Sequence, residues 1–416
     1  MNIKFYDIII IGSGISGLYS ALILKKKYPQ ISFLILEKSK KQLLGGRTRN
    51  DKFNGVSIVT GAGVGRKNKD KLLIKLMNNL GIEYSEYKSK INYSPIFTPI
   101  DIIEIMNKLK ILYNKHIELK DKTFKQFFIK TLGVKIYKKF IMSVGYTDYE
   151  NADIYDTLYN YGMDNNKGGW IGLRIPWQKL IDNLYNEIGE NNFKFSSNVV
   201  SVNKINYPKS LFEIKTKNNK IYYSNKVIMA TTIKCIKMLV KDAMNKNSIY
   251  QQIHGQAFLR LYAKFNKISN EIMKKYITTY TVLPGPLQKI IPIDSVKGVY
   301  MISYCDNKNA EFFKKKLKNT NKNKELYSRL IEKSIGISKG LLSILDIKDY
   351  YWEDGTHYYE PLKNEKNRDE FLYKAQNPEK GMIIVGEVVS KHQGWVEGAL
   401  ESVKKVLHKK WIQTLF

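Results

Sequence analysis

Cysteine is scarce in this sequence of 416 residues: Cys235 and Cys305 are the only two, and they form no CxxC pair. The sequence therefore indicates neither a disulfide framework nor a thiolate metal site. The five histidines show no paired spacing, so we expect no metal site. No uncharged apolar stretch reaches the roughly 18 residues that can span a bilayer, and the N terminus lacks the pattern of a cleavable signal peptide. These absences favour an intracellular, cytoplasmic protein in a reducing compartment.

Acidic residues are also few, since 38 Asp and Glu stand against 69 Lys and Arg, which gives a formal net charge of +31. Such an excess attracts nucleic acid or an anionic membrane surface at low salt. The surplus is mostly lysine spread through a chain rich in Asn, Ile and Tyr, a composition similar to that of some giant DNA viruses. Lysine clusters such as Lys314 to Lys316 are too short to form a basic tail, which favours a compositional origin of the charge. Virion association stays open on this interpretation, as does nucleic-acid binding.

The N-terminal stretch has the order strand, glycine turn, helix, strand and acid. The run Ile8 to Ile11 predicts a strand that is buried on both faces. Gly12 permits a tight turn, Gly14 lets the backbone approach a pyrophosphate, and Gly17 lets the next helix pack closely on the strand. Glu37 follows Gly17 by about 20 positions, where an acid can accept hydrogen bonds from an adenosine ribose. This order predicts a dinucleotide-binding βαβ unit.

Further glycine-rich motifs follow in a characteristic order. Gly45, Gly46 and Arg47 suit a loop that folds over a diphosphate, with the arginine supplying a charge-assisted contact. The small-residue segment Gly61-Ala62-Gly63-Val64 comes next, and near the C terminus an apolar strand leads to Gly386-Glu387. Together with the N-terminal motif, these features resemble the flavin-containing amine oxidase family, which includes monoamine oxidases, polyamine oxidases and histone-lysine demethylases. The resemblance spans nearly the whole chain and is diffuse between residues 85 and 185.

The resemblance implies that the chain binds FAD and identifies contacts beyond the two glycine loops and Glu37. The segment 61–64 would lie beside the flavin ring, and Val199 would present its backbone to adenine. Gly386 and Glu387 would contact the ribityl-phosphate side. Residues at the start of the last long helix would approach the flavin: Trp395, Val396 and Ala399. Monoamine oxidases carry a cysteine that forms a thioether to the flavin, and Thr356 occupies that position here, so we expect non-covalent FAD.

The residues that would face the substrate also follow from the resemblance. Trp395 matches one wall of an aromatic cage beside the flavin, and His357 or Tyr358 is expected to form the other wall. Arg260 stands where oxidases of the family place a lysine that holds a water at the flavin N5. A guanidinium there suits a substrate carboxylate. The implied reaction is hydride transfer from the C–H of an amine or amino acid to N5, with reoxidation by dioxygen.

Two other functions stay open at this point. An enzyme of the same fold could act on carbon–carbon bonds, as a desaturase or a protoporphyrinogen-type oxidase, and a long apolar tunnel would favour this alternative. A basic protein with an FAD fold could instead have a structural or nucleic-acid-associated role without catalysis. The sequence indicates neither the substrate nor the oligomeric state.

The expected fold is α/β. A discontinuous Rossmann-like FAD domain would contain residues 1–84, 185–252 and 375–416. An α+β substrate domain with a mixed sheet and capping helices would contain residues 85–184 and 253–374. Helical periodicity over residues 101 to 146, with Thr123 as an N-cap, predicts the capping helices. Strands are expected at Ala257 to Phe265 and Gly298 to Tyr304, where the second sheet would form.

Overall fold

The computed structural model describes residues 5–206 and 210–413. The strands in chain order are β1 Phe5–Ile11, β2 Phe33–Leu36, β3 Asn50–Phe53, β4 Val56–Val59, β5 Gly65–Arg66, β6 Ser85–Lys88, β7 Ile91–Tyr93, β8 Ile171–Arg174, β9 Phe193–Lys194, β10 Val199–Asn206, β11 Ser210–Thr216, β12 Ile221–Met229, β13 Ile253–Phe265, β14 Tyr280–Val282, β15 Lys289–Asp294, β16 Val299–Asp306, β17 Ile344–Tyr359 and β18 Met382–Ile384. The α-helices are α1 Ile15–Lys27, α2 Lys71–Asn79, α3 Ile102–Lys115, α4 Phe124–Leu132, α5 Val134–Val144, α6 Ile154–Tyr159, α7 Trp177–Ile188, α8 Ile233–Leu239, α9 Lys267–Tyr276, α10 Asn307–Phe313, α11 Asn321–Ile335, α12 Arg368–Gln376, α13 Val396–Val406 and α14 Lys409–Gln413.

The first sheet is built around β1. This strand pairs in parallel with β2 and β12, while β9 extends the sheet beyond β2 and β18 pairs with the end of β12. The parallel order is therefore β18-β12-β1-β2-β9, and β10 and β11 add an antiparallel meander to the first half of β12. In such an open parallel sheet, ligands bind outside the carboxyl ends of the strands.

Helices cover both faces of this sheet because the central strands are apolar on both sides. Ile8 and Ile10 pack against residues of α1, α7 and α13 on one face. Ile9 and Ile11 pack against residues of α8 and α12 on the other face. All four isoleucines are buried, which confirms the strand predicted from the run of isoleucines.

The second sheet has the order β17-β13-β16-β15-β14-β7, and its long central strands β13, β16 and β17 are antiparallel. Both predicted strands are confirmed, and β13 begins four residues earlier than expected, at Ile253. β13 is buried almost along its whole length, since α10 and α11 pack near one face and the other faces the rest of the protein. Side chains on the second of these faces therefore point into the interior of the protein.

Residues 102–159 form a layer of four helices, α3 to α6. The first three helices lie within the range 101–146 that was predicted to be helical. The core of this layer is aromatic, with Phe124, Phe128, Phe140 and Tyr149 in mutual contact at centroid distances of 5.1 to 6.3 Å. Thr123 caps α4 in a capping box with Gln126, which confirms the predicted N-cap. The layer lies beside the second sheet, to which the loop after α5 is hydrogen-bonded.

The α/β fold class with a Rossmann-like sheet and a second mixed sheet is confirmed. The predicted domain boundaries stay a prediction: residue 185 falls inside α7 and residue 375 inside α12, so two of the proposed limits cut continuous helices. Within residues 5–206 and 210–413, no helix combines the length and the apolar character needed to cross a bilayer.

Candidate functional site

The first glycine loop joins β1 to α1 and is shaped by close backbone contacts. Gly12 has φ +102°, and a Cβ there would lie 2.5 Å from the carbonyl oxygen of Ala230. A Cβ at Gly17 would lie 2.1 Å from the carbonyl oxygen of Gly12, so only glycine lets α1 pack this closely on the loop. Gly14 differs from both, because a Cβ there would meet no protein atom within 4 Å. The backbone at Gly14 thus borders open space at the N terminus of α1, which no side chain caps.

Glu37 follows β2 and its carboxylate is held close to the glycine loop. One carboxylate oxygen accepts hydrogen bonds from the backbone N–H (2.9 Å) and the hydroxyl (2.7 Å) of Ser13. The other accepts from the backbone N–H of Ser39 (2.8 Å). Only 9% of Glu37 is exposed, and the exposed part faces the cavity described below. The carboxylate is thus fixed in place with acceptor capacity to spare.

The second glycine loop lies against the first. The backbone N–H of Gly45 donates to the carbonyl of Ser13 at 3.2 Å, and Gly45 pairs with Gly14 in an isolated parallel bridge. Gly45 adopts φ +89°, and a Cβ there would lie 2.8 Å from the carbonyl oxygen of Thr48. The two loops together form one wall of backbone, which is the surface that a diphosphate requires.

A single large cavity of about 2220 Å³ begins at these loops. Its volume exceeds the roughly 300 to 1,000 Å³ of pockets that hold one drug-sized ligand. It runs along the carboxyl ends of β1, β2, β12 and β18 and continues to the second sheet. The predicted residues that line it are Gly12, Gly14, Glu37, Gly45, Gly46, Arg47, Gly61, Ala62, Gly63, Val64, Val199, Arg260, Gly386, Glu387, Trp395, Val396 and Ala399. Gly17 lies behind this wall and supports it.

Glu387 connects three parts of the cavity wall. Its carboxylate accepts hydrogen bonds from Arg47 (2.8 Å), from Nδ1 of His357 (2.5 Å) and from the backbone N–H of Gly394 (3.0 Å). Burial raises the pKa of Glu387, but His357 and Arg47 lower the pKa by more, so the carboxylate stays ionised. Arg47 also donates to the carbonyl of Gly355 at 2.7 Å. The pair Arg47–Glu387 therefore ties the second glycine loop to β17.

His357 and Tyr358 do not line the cavity, contrary to the cage predicted from the resemblance. Nδ1 of His357 is hydrogen-bonded to Glu387, and Nε2 accepts from the backbone N–H of Ile233 at 3.2 Å, so the ring is held inside the protein through both nitrogens. Tyr358 stacks on His254 at 5.0 Å and borders a separate small pocket. Residues 349–356 of β17 line the large cavity, and Thr356 is the last of them, directly before His357.

Arg260 of β13 points into the cavity and is 6% exposed. Nε donates to the carbonyl of Gly61 at 2.7 Å, and the guanidinium lies 4.1 Å from the ring centroid of Tyr304. A Cβ added at Gly63 would meet Nη2 at 3.0 Å, so the guanidinium rests against the 61–63 segment. No carboxylate of the described residues lies within 4.0 Å of it. Arg260 is therefore not a surface arginine paired with an acid.

Trp395 lies immediately before α13 and lines the cavity. The guanidinium of Arg66 sits 3.6 Å from the centroid of its ring, and Arg66 does not line the cavity. Arg66 is fixed in turn by Asp70, with contacts of 2.6 and 2.9 Å. One face of the indole is thus covered by a fixed cation, which leaves the other face available to a ligand.

The first turn of α13 also requires a glycine. A Cβ at Gly398 would lie 2.0 Å from the carbonyl oxygen of His392, so only glycine allows the chain to enter α13 in this way.

The far part of the cavity is rich in tyrosine and was not predicted from the sequence. Its lining includes Tyr146, Tyr161, Tyr280, Tyr304 and the carboxylate of Asp148. These residues come from the loop after α5, the segment after α6, β14 and β16, which lie far apart in the chain. No motif connects them, and only the pairing of β13 with β16 places Tyr304 beside Arg260.

The residues present fit FAD. The backbone at Gly14 leaves a space that a side chain would fill, Glu37 faces the cavity, and the first turn of α1 offers free N–H groups to phosphate. In addition, three buried polar atoms in lining residues have no hydrogen-bond partner among the described residues: Oγ1 of Thr231, Oγ1 of Thr356 and Nε2 of Gln393. Buried polar atoms normally have partners, so these atoms indicate a polar ligand in the cavity.

Comparisons with known proteins agree with the fold. Residues 10–80 match the model of the NAD(P)-binding Rossmann-like domain. An uncharacterized protein of Acanthamoeba polyphaga mimivirus is 31% identical over 124 residues, which are 26% of this chain, and the match spans about a quarter (24%) of that relative's length.

Two solved structures are similar over almost the whole chain. Cyclohexylamine oxidase from Brevibacterium oxydans superposes with a TM-score of 0.75 at 14% identity, covering 99% of both chains. Wild-type putrescine oxidase bound to putrescine superposes with a TM-score of 0.72 at 14% identity, covering 96% of this chain and 98% of that one. The chain therefore has the fold of these amine oxidases, as its resemblance to the flavin-containing amine oxidase family predicts.

Proposed function

We propose that this protein is an FAD-dependent oxidoreductase that oxidises an amine or an amino acid. One observation carries the proposal: a single cavity joins the nucleotide cradle, with Gly14 and Glu37, to a chamber that contains Trp395 and Arg260. The cradle and the chamber are connected, so a ligand held by its phosphates in the first can present its reactive ring to a substrate in the second.

The roles of the residues follow from their positions. Glu37 would accept from the adenosine ribose, and the two glycine loops with the N terminus of α1 would bind the diphosphate. FAD, when bound, would supply the acceptor for the hydride of a C–H beside nitrogen and would be reoxidised by dioxygen. Trp395, with Arg66 behind it, would orient the substrate and help to exclude water. Arg260 would place a fixed positive charge beside the 61–63 segment, where negative charge develops on reduction.

The polarity of the chamber favours an amine or amino acid over the substrates of the alternative enzymes. A desaturase or protoporphyrinogen-type oxidase would be favoured by a long apolar tunnel, whereas this chamber carries Arg260, Asp148 and four tyrosines. Charged and hydroxyl groups that border a cavity are costly to desolvate unless the ligand pairs with them. A polar substrate satisfies this requirement.

The second wall of the cage differs from the one that the resemblance implies. We propose that Thr356 faces the flavin instead of an aromatic residue and that, because it is not a cysteine, the flavin is bound without a covalent link. We further propose an intracellular location, on the basis of two unpaired cysteines, one buried and one partly buried.

The experiment that tests the proposal starts from the absorbance spectrum of the purified protein. Acid precipitation should release all of the yellow colour as FAD, identified by chromatography, and leave a colourless pellet. The holoprotein should then lose its flavin absorbance on anaerobic addition of at least one member of a panel of amines and amino acids. Absence of flavin after supplementation with FAD, or a flavin that no member of the panel reduces, would contradict the proposal.

A pair of variants tests the cage. Trp395→Ala should keep FAD but slow flavin reduction by the best substrate about tenfold or more, because the substrate loses its alignment. Trp395→Phe keeps an aromatic wall and should retain most of the rate. Equal rates for the Ala variant and the wild type would remove Trp395 from the site.

A further inference from the structure

Asp148 is held firmly at the far end of the cavity by the backbone around it. The backbone N–H groups of Thr147 and Asp148 donate to the carboxylate of Asp306 at 2.7 and 2.9 Å. The side-chain amide of Gln256, on β13, donates to the carbonyl of Asp148. The loop is thus attached to both central strands of the second sheet, and the direction of the Asp148 side chain is determined by these contacts.

The carboxylate of Asp148 lacks a cationic partner. One oxygen accepts a hydrogen bond from the hydroxyl of Tyr161 at 2.6 Å. Within the described parts of the chain, no Lys, Arg or His nitrogen forms an ion pair with it within 4.0 Å, and the ammonium of Lys289 attracts the carboxylate only at longer range. The group lies deep in the protein yet stays partly accessible, because it faces the cavity. Burial, and then the neighbouring Asp306, raise the pKa of Asp148 to about 7, so the unliganded carboxyl group is easily protonated near neutral pH. A cationic ligand in the cavity would supply the missing counter-ion and favour the ionised carboxylate.

The two charged residues nearest to Asp148, Asp306 and Lys289, do not neutralise its carboxylate. Asp306 is fully buried, and its oxygens already accept from Thr147, Asp148 and Gln288. Lys289 is buried behind the cavity wall, where it donates to the carbonyl of Gly145 and lies 2.6 Å from the ring centroid of Tyr146. Two carboxylates and one ammonium leave this region with a net negative charge. Burial also lowers the pKa of Lys289 strongly, which weakens its positive charge.

A cluster of aromatic residues in mutual contact lines the cavity beside Asp148. Tyr146, Tyr161, Tyr280, Tyr304 and Phe258 all line the cavity there, and the hydroxyls of Tyr280 and Tyr146 are 3.4 Å apart. Ring faces attract an ammonium group and replace part of its hydration. A carboxylate with aromatic neighbours is the combination that binds alkylammonium groups in preference to metal ions, which need several oxygen ligands.

The positions of Asp148 and Arg260 indicate how an extended substrate would lie in the chamber. Arg260 rests on the 61–63 segment, whereas Asp148 is attached to Gln256, four residues earlier on β13. At about 3.3 Å per residue, these two points on the strand are roughly 13 Å apart. Phe258 lies between them on β13 and lines the same cavity, and Tyr304 lines it beside Arg260. The two charges therefore lie towards opposite ends of the chamber, with Arg260 nearer the nucleotide cradle.

We propose that Asp148 and Tyr161, with the tyrosines around them, form a subsite for a positively charged nitrogen at the end of the substrate remote from the oxidised carbon. The substrate is therefore an extended molecule with a second cationic group, either a linear diamine or polyamine or an amino acid with a basic side chain. This inference rests on the proposed amine oxidation for its meaning in catalysis, but binding of the cation is measurable without turnover.

The test compares substrates that differ only in the remote charge. The first pair is butane-1,4-diamine against butan-1-amine, and the second is L-lysine against L-norleucine. Isothermal titration of the anaerobic holoprotein, reduced beforehand with dithionite so that no probe can be oxidised, gives Kd. Stopped-flow reduction of the oxidised holoprotein gives the rate for each probe. In the wild type, at least one charged probe should bind about tenfold or more tightly than its uncharged partner, as expected for a charge pair inside a cavity.

The variant Asp148→Asn removes the charge while keeping the size and the hydrogen bond from Tyr161. We expect the Kd of the charged probe to rise about 10- to 100-fold and that of its uncharged partner to change much less, so the preference is lost. Asp164→Asn is the matched control, because Asp164 is an exposed acid outside the cavity wall, paired with Lys69. It should keep the preference. Asp148→Glu should restore part of it.

Each outcome separates this inference from the proposed function. A preference that depends on Asp148 in binding, with no flavin reduction by any probe, would support the subsite and contradict amine oxidation. Flavin reduction with equal preferences in the wild type and in Asp148→Asn would support oxidation and overturn the subsite. The pair that shows the effect identifies the substrate as a diamine or as a basic amino acid. Equal binding of charged and uncharged probes by the wild type would overturn the inference.

Discussion

Gly14 and Gly17 lie three residues apart, yet a side chain at each would have a different consequence. The space beside Gly14 is open, and its φ of −67° suits any residue. A side chain at Gly17 would overlap a backbone oxygen. Gly14→Val should therefore fold but lose most FAD affinity, whereas Gly17→Val should lose about 1 to 3 kcal/mol or more of stability through overpacking.

Thermal unfolding of both apoproteins and a fluorescence titration with FAD distinguish the two effects. The cofactor cradle would be contradicted if Gly14→Val bound FAD as tightly as the wild type. A Gly17→Val protein with unchanged melting temperature would show that α1 can move away from the loop.

Arg260 leads to the second prediction at this scale. Lysine keeps the positive charge but cannot make a two-pronged contact with a carboxylate. In Arg260→Lys, flavin reduction by L-lysine should slow about tenfold, while reduction by its decarboxylated counterpart, pentane-1,5-diamine, should change little. Reoxidation by dioxygen should become faster, because the resemblance implies that a lysine at this position holds a water at the flavin N5. Stopped-flow measurement of both half-reactions checks this. Equal slowing with both substrates would mean that Arg260 only supports the segment around Gly61.

Which individual residues could be predicted from the sequence depends on how local their roles are. The glycine loops and Glu37 were predictable because each belongs to a short motif whose residues lie close together in the sequence. The side-chain direction of His357 was not, because it depends on the register between β13 and β17, which contains two irregularities. Asp148 could not be predicted for a different reason. Its hydrogen-bond partner Tyr161 follows another helix, and neither residue belongs to a motif.

At the scale of elements, Glu387 joins β17, the second glycine loop and the turn before α13. Its pKa in the folded protein is lowered, so its contribution to stability is present above the unfolded pKa of about 4.3 and is lost as the pH falls below that value. Glu387→Gln removes one side of a buried ion pair and should cost about 3 to 5 kcal/mol at pH 7.

Chemical denaturation from pH 7 to pH 3.5 measures this effect. The difference in unfolding free energy between the wild type and Glu387→Gln should be constant between about pH 5 and 7 and should shrink below about pH 4.3. A difference that does not depend on pH would contradict the ionised state of Glu387 in the folded protein.

Elements with strong local signals were predicted well, and short ones were not. The capping box at Thr123 and the isoleucines of β1 place α4 and β1 within a residue or two. In contrast, the loose alternation of apolar residues from Phe195 to Val202 predicts a single strand there, whereas β9 ends at residue 194 and β10 begins at residue 199. β9 has only two residues and exists because β2 pairs with it, a contact that no local pattern can reveal.

At the scale of the whole molecule, the chain combines a positive net charge with a negative subsite. The surplus of 31 positive charges lies largely at the surface, because most of the described lysines are exposed. Even lysines in ion pairs remain exposed, such as Lys26, whose side chain is about half exposed beside Glu187. Such pairs contribute little to stability, and their fields are screened by salt within about 10 Å at 0.1 M. The charge of Asp148 is screened much less, because it lies inside the protein.

The electric field of the surface lysines and that of Asp148 act on a cationic substrate with opposite signs and over different distances, and this difference gives the last prediction. The surface charge repels a dication during approach, while Asp148 attracts it after entry. Raising the salt from 10 to 150 mM should therefore increase kcat/KM for butane-1,4-diamine, by about threefold or more, because only the long-range repulsion is screened. L-Norleucine carries no net charge and should change least. Non-specific DNA binding, if the surface supports it, should weaken over the same range. Steady-state assays with both substrates in a salt series check the prediction. A fall in kcat/KM for the diamine would mean that a negative potential at the cavity mouth outweighs the net charge.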